Sequence, residues 1–307
     1  MNPILDAKTG LFVALAAFAI FYVVVLVRGL RAAAQSGQQV KPTAGGTATG
    51  FVTNFFDTLG IGSYATTTAA FRHWKMVRDE NIPGTLNIGH TIPTIAQAFI
   101  YTSIVPVETT TLILMILAAT MGAWLGAGVV SGWSRKGVQL GMGVALLVMG
   151  ALFLGKALAL YPVGGNAIQL TGTHLIIGLV GNFILGALMT LGIGLYAPCL
   201  VLVALLGMNE TTGFPIMMGS CAFLMPMASA RFVKEKKFDA KAAVGLFVGG
   251  LPAVLIAAFI VKSLPMAQVR WLVIIVVLYT AVTMLREALR ETVVAPDEKH
   301  AEGAVTL

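Results

Sequence analysis

The sequence predicts an all-α integral membrane protein built from two inverted repeats. Each repeat is expected to hold a glycine-broken re-entrant element and three transmembrane helices, and an extra N-terminal helix precedes them. Three observations predict this fold: the composition, a repeated octapeptide and the positions of the cations. Apolar residues make up 57% of the 307 positions and charged residues 11%, whereas soluble domains have roughly 45–50% and about 25%. With so little charged surface, the chain is expected to lie in a bilayer.

An internal repeat divides the chain into two units. The octapeptide Thr58–Ala65 matches Thr190–Ala197 at seven of eight positions, with an offset of 132 residues. One offset that persists over a whole unit indicates a duplicated architecture. The same offset pairs Phe51 with Phe183, Pro83 with Pro215, Ser131 with Ser263, and Leu140 with Leu272.

The repeat sets the predicted organisation. Residues 1–49 are expected to form an N-terminal anchor helix and a linker, residues 50–160 the first repeat, 171–290 the second repeat, and 291–307 a polar tail. The apolar run Leu11–Val27 is followed, not preceded, by the cations Arg28 and Arg31. This order favours an uncleaved anchor helix over a signal peptide.

The cations predict that the two units face opposite ways. In the first unit they lie in Arg72–Arg78 and Arg135–Lys136, whereas in the second they lie one segment later, in Arg231–Lys237. Because cytoplasmic loops collect Lys and Arg, equivalent loops of the two units are expected on opposite sides of the membrane, as in inverted-repeat transporters. The excess of seven positive charges is therefore interpreted as topology, and no nucleic-acid partner is expected.

Inversion requires an odd number of crossings in each unit. The predicted spans are about 83–101, 107–131 and 136–158 in the first unit, then 213–231, 240–262 and 268–289 in the second. The segment Thr171–Leu206 would form a helix of about 54 Å, too long for one pass, so each glycine-containing segment is expected to enter and return. Nine plain helices are the alternative.

The glycine pairs Gly60/Gly62 and Gly192/Gly194 predict breaks inside apolar segments. Broken backbone at membrane depth is tolerated only where it lines a cavity or is buried in protein, and the N-terminus of a half-helix suits an anion. Close helix packing is the alternative role for such glycines. The substrate-binding residues predicted at the breaks are Thr58, Gly60, Gly62, Thr66, Thr67, Thr190, Gly192, Gly194, Pro198 and Cys199.

Two polar stretches in later helices are predicted to form the opposing wall of the site. The first contains Asn87 and His90, and its counterpart in the second unit contains Gly219 and Ser220. All four are candidates for substrate binding. His90 is either a ligand or proton carrier, or a hydrogen-bonded packing residue.

Asp57 precedes the first glycine break, where the second unit has Met189. An ionisable group at membrane depth is costly and is a functional candidate by default. Asp57 is therefore the candidate for the coupling ion site, unless it lies at a headgroup boundary. No motif for a nucleotide, a metal or a soluble-enzyme reaction is found, so neither an enzyme activity nor a cofactor is expected.

The order of these features resembles the TauE/SafE sulfite exporter family over about residues 50–290. The resemblance rests on a glycine break, a polar helix start (Met218–Cys221), a basic loop (Arg231–Asp239) and a span with Gly249–Pro252, and most of this pattern occurs twice. It implies secondary transport of sulfite, organosulfonates or related small anions across the bacterial inner membrane. Family members usually carry three consecutive glycines, a series that Ile61 and Ile193 interrupt here.

Three other functions remain open from the residues alone. One is a permease for a cation or neutral solute on the same scaffold. Another is a non-transporting membrane subunit, which predicts tightly packed glycine motifs and no cavity between the units. A membrane-embedded enzyme is least expected, since no nucleophile with a base and an orienting residue is found.

Overall fold

We analysed a computed structural model, which describes residues 3–60, 62–160, 165–192, 194–259 and several positions between 271 and 289. Every regular element among these residues is a helix. Short 3-10 helices, Asp79–Asn81 and Glu210–Thr212, precede α4 and α9. The α-helices are α1 (Pro3–Gln35), α2 (Ala44–Thr58), α3 (Tyr64–His73), α4 (Ile82–Ile104), α5 (Thr109–Val130), α6 (Arg135–Ala157), α7 (Gly172–Met189), α8 (Tyr196–Leu205), α9 (Gly213–Lys234) and α10 (Ala240–Phe259).

Five of these helices are long and apolar enough to cross a membrane: Ala7–Gln35 within α1, and α5, α7, α9 and α10. The protein is therefore an all-helical, multi-pass membrane protein. The predicted spans 107–131, 136–158 and 213–231 coincide with α5, α6 and α9. Residues 260–262, most of the predicted span 268–289 and the tail 291–307 lie outside the described residues.

Helix α4 coincides with the predicted span 83–101 but is not among the five apolar helices. Its polar side chains explain this: Asn87, His90 and Gln97 are all fully buried. The helix packs against α9 and α10 and also contacts α1, α2 and α3. The most polar of the long helices thus lies inside the bundle, where it places hydrogen-bonding groups without exposing them to lipid.

The bounds of the helices repeat at the offset found in the sequence. Helices α3 and α8 begin and end exactly one offset apart, at residues 64 and 196 and at residues 73 and 205. The bounds of α4 and α9, and of α5 and α10, agree within three residues at the same offset. The segment Thr171–Leu206 is not one helix, because the break at residues 190–195 divides it into α7 and α8.

Each glycine break joins two helices that run back along each other. A Cβ atom built on Gly181 of α7 would lie 2.8 Å from Leu202 of α8, and one built on Gly178 would lie 3.4 Å from Leu206. Contacts that pair earlier residues with later ones indicate an antiparallel arrangement. We call α7 and α8 the second hairpin.

Helices α2 and α3 form the first hairpin. The methyl group of Met76, just after α3, lies 3.8 Å from a Cβ built on Gly45 in the first turn of α2. Helix α2 begins at Ala44, inside the segment predicted as a linker. Thr43 caps it, since the Thr43 hydroxyl accepts a hydrogen bond of 3.1 Å from the Gly46 amide.

Each hairpin packs closely against a helix of the other unit. A Cβ on Gly50 of α2 would lie 2.5 Å from the Leu246 carbonyl oxygen of α10, and a Cβ on Gly186 of α7 would lie 2.1 Å from the Ala119 carbonyl oxygen of α5. Only glycine allows such approach of two helix backbones. The two units are therefore interleaved and cannot separate without breaking these contacts.

The basic segments of the sequence meet at one end of the bundle. The C-terminal part of α1 reaches the last turn of α9, where a Cβ on Gly29 would lie 2.9 Å from Val233, and Arg231 lies beside Gly128 near the end of α5. Lys237 contacts Gly84 in the first turn of α4. Further cations lie at this end, which we call the basic end.

The two hairpins open at different ends. The first opens beside the start of α4, at the basic end. The second opens beside the start of α5, since Gly165 donates to the Met208 carbonyl after α8, and the Glu108 amide donates to the Ile168 carbonyl. The open ends of the two hairpins thus lie at opposite ends of the bundle.

Glu108 caps α5, and its contribution should depend on pH. Burial raises the pKa of Glu108, but hydrogen bonds from the Thr110 and Thr111 amides outweigh it and hold the pKa below the usual value. A lowered pKa in the folded state stabilises the protein above the unfolded-state pKa, and this stabilisation is lost as pH falls through the folded-state pKa. We expect Glu108→Ala to cost about 1 kcal/mol at neutral pH. The melting temperatures of wild type and Glu108→Ala in detergent should therefore differ less at acidic pH than at neutral pH. A difference that does not change with pH would contradict the capping role of the Glu108 carboxylate.

Candidate functional site

A small buried cavity lies between the two glycine breaks. Its volume is about 10 Å³, which is the room needed for roughly one water molecule. Both hairpins line it, together with α4 and α9. The lining residues are Asp57, Gly62, Ser63, Tyr64, Thr94, Met189, Gly194, Leu195, Tyr196 and Cys221.

Left-handed backbone conformations produce the two breaks. The φ angles are +88° at Gly60, +91° at Gly62, +89° at Gly192 and +75° at Gly194. Side chains other than glycine rarely adopt this region, which explains why the repeated octapeptide has glycine at these positions. The chain turns at each break and starts a new helix directly beside the cavity.

The N-termini of α3 and α8 both lie at this cavity. Ser63 and Leu195 hold the N-cap positions, and neither side chain caps its own helix. The first N–H groups of a helix have no partner within it and carry a partial positive charge. Two such ends beside one cavity form an arrangement that favours an anion.

The carboxyl group of Asp57 also faces the cavity and is almost fully buried, with 2% exposure. It accepts a hydrogen bond of 3.0 Å from Gln97 Nε2. The hydroxyl and backbone amide of Ser63 also donate to it. Asp57 therefore connects the start of α3 to α4, and Gln97 extends this network to Tyr196 of α8.

Two equivalent tyrosines line the cavity. The Tyr196 hydroxyl donates a hydrogen bond of 2.5 Å to Gln97 Oε1. The Tyr64 side chain is buried, and its hydroxyl has no hydrogen-bond partner among the described residues. A buried hydroxyl without a partner is costly, so Tyr64 has a free donor for a molecule in the cavity.

His90 joins three helices beside the cavity but does not line it. Its Nδ1 lies 3.0 Å from Asn54 Oδ1, and its Nε2 lies 3.0 Å from Thr67 Oγ1. Asn54 Oδ1 can only accept, so Nδ1 carries the proton, and a neutral ring accepts from Thr67 at Nε2. These bonds connect α4 to both helices of the first hairpin and give His90 a positioning role in this state.

Asn182 connects the second hairpin to α9, as His90 connects the first hairpin to α4. Asn182 Nδ2 donates to Ser220 Oγ at 3.0 Å and to the Met115 carbonyl at 2.7 Å. At the cavity, the Cys221 sulfur lies 3.5 Å from the Met189 sulfur. The cavity wall is therefore polar on the side of the first hairpin and rich in sulfur on the side of the second.

The structure brings only some of the predicted site residues to the cavity. Asp57, Gly62 and Gly194 line it, and the Thr58 hydroxyl accepts a bond from Gln97 at 2.9 Å. Thr67, His90 and Ser220 lie in the flanking hydrogen-bond networks. The others are absent from the lining: Gly60, Thr66, Asn87, Thr190, Gly192, Pro198, Cys199 and Gly219.

Local contacts account for several residues that do not reach the cavity. Asn87 Nδ2 donates to the Pro83 carbonyl within its own helix. Gly219 packs against Ile116, and the positive φ of Gly192 places it against Met142. These positions support the helices and breaks around the cavity.

The site residues predicted from the sequence did not include Tyr64, Tyr196 and Gln97. The two tyrosines occupy the same position in the repeated octapeptide, so the repeat itself contained the signal. Gln97 has no such signal, because the residue at the same offset in the second unit is Ser229. In the sequence, Gln97 is a single polar residue on an otherwise apolar helix.

Comparisons with known proteins return no family model, no curated protein and no solved structure that matches the chain. The resemblance to the TauE/SafE family therefore stays a prediction from the residues quoted for it.

Proposed function

We propose that this protein is a secondary transporter that moves small anions, with sulfite and organosulfonates as the first candidates, across the bacterial inner membrane. One observation carries the proposal: the N-termini of α3 and α8, formed by two equivalent glycine breaks, lie at one buried cavity. Helix N-termini bind anions without a full positive charge. The choice of sulfur oxyanions rests on the resemblance to the TauE/SafE family.

We also propose that the two units form an inverted repeat with the basic end in the cytoplasm. The opposite positions of the two open hairpin ends support the inversion, and the collection of cations at one end supports the orientation. In inverted-repeat transporters, substrate sites lie between discontinuous helices of the two repeats. The cavity between the first and second hairpins has this location.

The cavity is smaller than the proposed substrates. A space for one water molecule is too small for a sulfur oxyanion, so binding requires the hairpins to move. The left-handed glycines at both breaks are suitable hinges because they tolerate large changes in φ and ψ. Alternating exposure of the cavity would follow from movement of one unit against the other.

Transport should be measured in proteoliposomes with labelled sulfite and small sulfonates, using exchange against unlabelled anion. The test variant is Gly194→Leu, because a leucine at the φ of +75° would strain the break and fill the cavity. The matched control is Gly207→Leu at the other end of α8, where φ is +80° and a Cβ would meet nothing within 4 Å. We expect Gly194→Leu to lose exchange and Gly207→Leu to retain it. Equal rates in both variants would contradict a site at the break.

A cation permease is the second candidate, and the carboxyl group of Asp57 in the cavity wall is the observation that favours it. The same proteoliposomes distinguish the two, since a cation permease would exchange labelled cations and no anion. Folded protein that moves neither class of solute would favour the non-transporting subunit.

A further inference from the structure

We propose that Asp57 carries a proton that moves together with the anion, so that transport is proton–anion symport. This inference rests on the proposed function and adds its coupling mechanism. The basis is that the Asp57 carboxyl group and the substrate require the same binding position. Both are attracted by the N-terminus of α3, where the backbone amide and hydroxyl of Ser63 already bond to Asp57.

A charged carboxylate at this position opposes the binding of an anion. Within the part of the chain that the structure describes, the groups that donate to Asp57 are Gln97 and Ser63, and both are neutral. None of these described partners is a cation that could offset a second negative charge. A proton on Asp57 removes the repulsion and frees the N–H groups of α3 for the anion.

The other titratable groups around Asp57 do not compete for this role. Among the described residues they are Tyr64 on α3, Tyr101 on α4, Tyr196 on α8 and Cys221 on α9. His90 on α4 also lies beside the cavity, but hydrogen bonds with Asn54 and Thr67 occupy both of its ring nitrogens. Phenols and thiols ordinarily lose their protons well above neutral pH. Helix α10, which packs along α2, has Lys241 in its first turn as its one titratable residue. Asp57 is thus the one carboxyl group at the cavity among the described residues.

Tyr64 provides a second and independent indication of a ligand. Tyr64 lines the cavity and is only 4% exposed, and its hydroxyl has no hydrogen-bond partner among the described residues. Once Asp57 is protonated, the Ser63 amide and the Tyr64 hydroxyl both offer hydrogen atoms to one bound oxyanion. The anion and the proton then bind together and leave together, and a monovalent anion moves with no net charge.

The experiment uses the full chain in proteoliposomes and labelled methanesulfonate, a sulfonate that stays monovalent at all working pH values. With a gradient of about one pH unit, acidic outside, wild type should accumulate the anion about tenfold, because one unit corresponds to about a tenfold equilibrium ratio. Asp57→Asn keeps the shape and one acceptor oxygen of the side chain but cannot carry the proton. We expect it to lose the accumulation, and exchange of labelled for unlabelled anion, measured alongside, shows whether the variant still binds the anion.

The matched control is Asp239→Asn. Asp239 caps α10 by accepting a hydrogen bond of 3.0 Å from the Ala242 amide, and asparagine caps helices equally well. This variant should accumulate methanesulfonate like wild type. Accumulation in Asp57→Asn at the wild-type level would overturn the proton role and leave the proposed function intact.

Two further measurements use only the wild-type protein and so do not depend on the folding of Asp57→Asn. Addition of methanesulfonate to purified wild type in weakly buffered detergent solution should cause uptake of about one proton per protein as the empty carboxylate is protonated, and no uptake would overturn the inference. Wild type that exchanges neither sulfite nor methanesulfonate would overturn the proposed function and the inference with it.

Discussion

Replacement of Gly122 by alanine is expected to push α5 and α7 apart and destabilise the protein. A Cβ at this position would lie 1.9 Å from the Phe183 carbonyl oxygen, and one on Gly186 of the facing helix would lie 2.1 Å from the Ala119 carbonyl oxygen. Both neighbours are backbone atoms, so the helices themselves must move apart. We expect a loss of about 3 kcal/mol or more, the upper range for overpacking. The loss should appear as a lower melting temperature of the purified protein in detergent.

Gly10→Ala is the matched control for this variant. Gly10 lies within α1, and a Cβ built on it would meet nothing within 4 Å. Because alanine favours a helix more than glycine by about 1 kcal/mol, this variant should melt at or above the wild-type temperature. If Gly122→Ala melted like Gly10→Ala, the close packing of the hairpins against the opposite unit would be wrong.

Much of the fold could be predicted because apolar runs and a repeat are properties of the sequence itself. The offset that aligns Thr58–Ala65 with Thr190–Ala197 also aligns the bounds of α3 with those of α8. Gly60, Gly62, Gly192 and Gly194 could be assigned to breaks because few other residues are placed at left-handed angles. Local conformational limits of this kind need no knowledge of packing.

The interior position of α4 could be predicted only in part, because burial depends on which helices surround a segment. Its polar residues suggested a site, but they do not act alike: His90 joins three helices, whereas Asn87 bonds within its own helix. A sequence gives the type of a polar side chain and not its direction. The start of α2 was missed for a similar reason, since Ala44 and Gly45 look like linker residues until α10 packs against the helix.

The candidate site shows the same limit. Asp57 was identified because a carboxyl group in an apolar segment is unusual. Gln97 was missed because its importance comes from three contacts, with Asp57, Thr58 and Tyr196, that join residues 40, 39 and 99 positions apart. Such contacts arise only when the hairpins are folded against α4.

Leucine at Gly62 is expected to abolish transport without unfolding the protein. Gly62 lines the cavity, its φ is +91°, and a Cβ built on it would lie 4.0 Å from Tyr196 Cβ. A leucine side chain therefore starts at the wall of the cavity, which holds about one water molecule. We expect the initial rate of anion exchange in proteoliposomes to fall about tenfold or more, because about 1–2 kcal/mol of backbone strain adds to the blocked volume.

Gly37→Leu separates the backbone effect from the effect on the cavity. Gly37 follows α1, its φ is +84°, and a Cβ built on it would meet nothing within 4 Å. The strain of a left-handed leucine is therefore similar in both variants, whereas only one of them adds atoms to the cavity. If both variants lowered the melting temperature equally and only Gly62→Leu lost exchange, the loss would come from the occupied cavity.

The opposite result would have an equally direct meaning. Normal exchange in Gly62→Leu would require the anion to pass elsewhere, because Gly62 and Gly194 line the cavity at which the N-termini of α3 and α8 meet. The transport path would then have to avoid both breaks, and the repeated glycines would serve only to turn the chain. Loss of exchange in Gly62→Leu and in Gly194→Leu would instead show that both units contribute to a single path. A single path formed by both units is what a site between two equivalent helix N-termini requires.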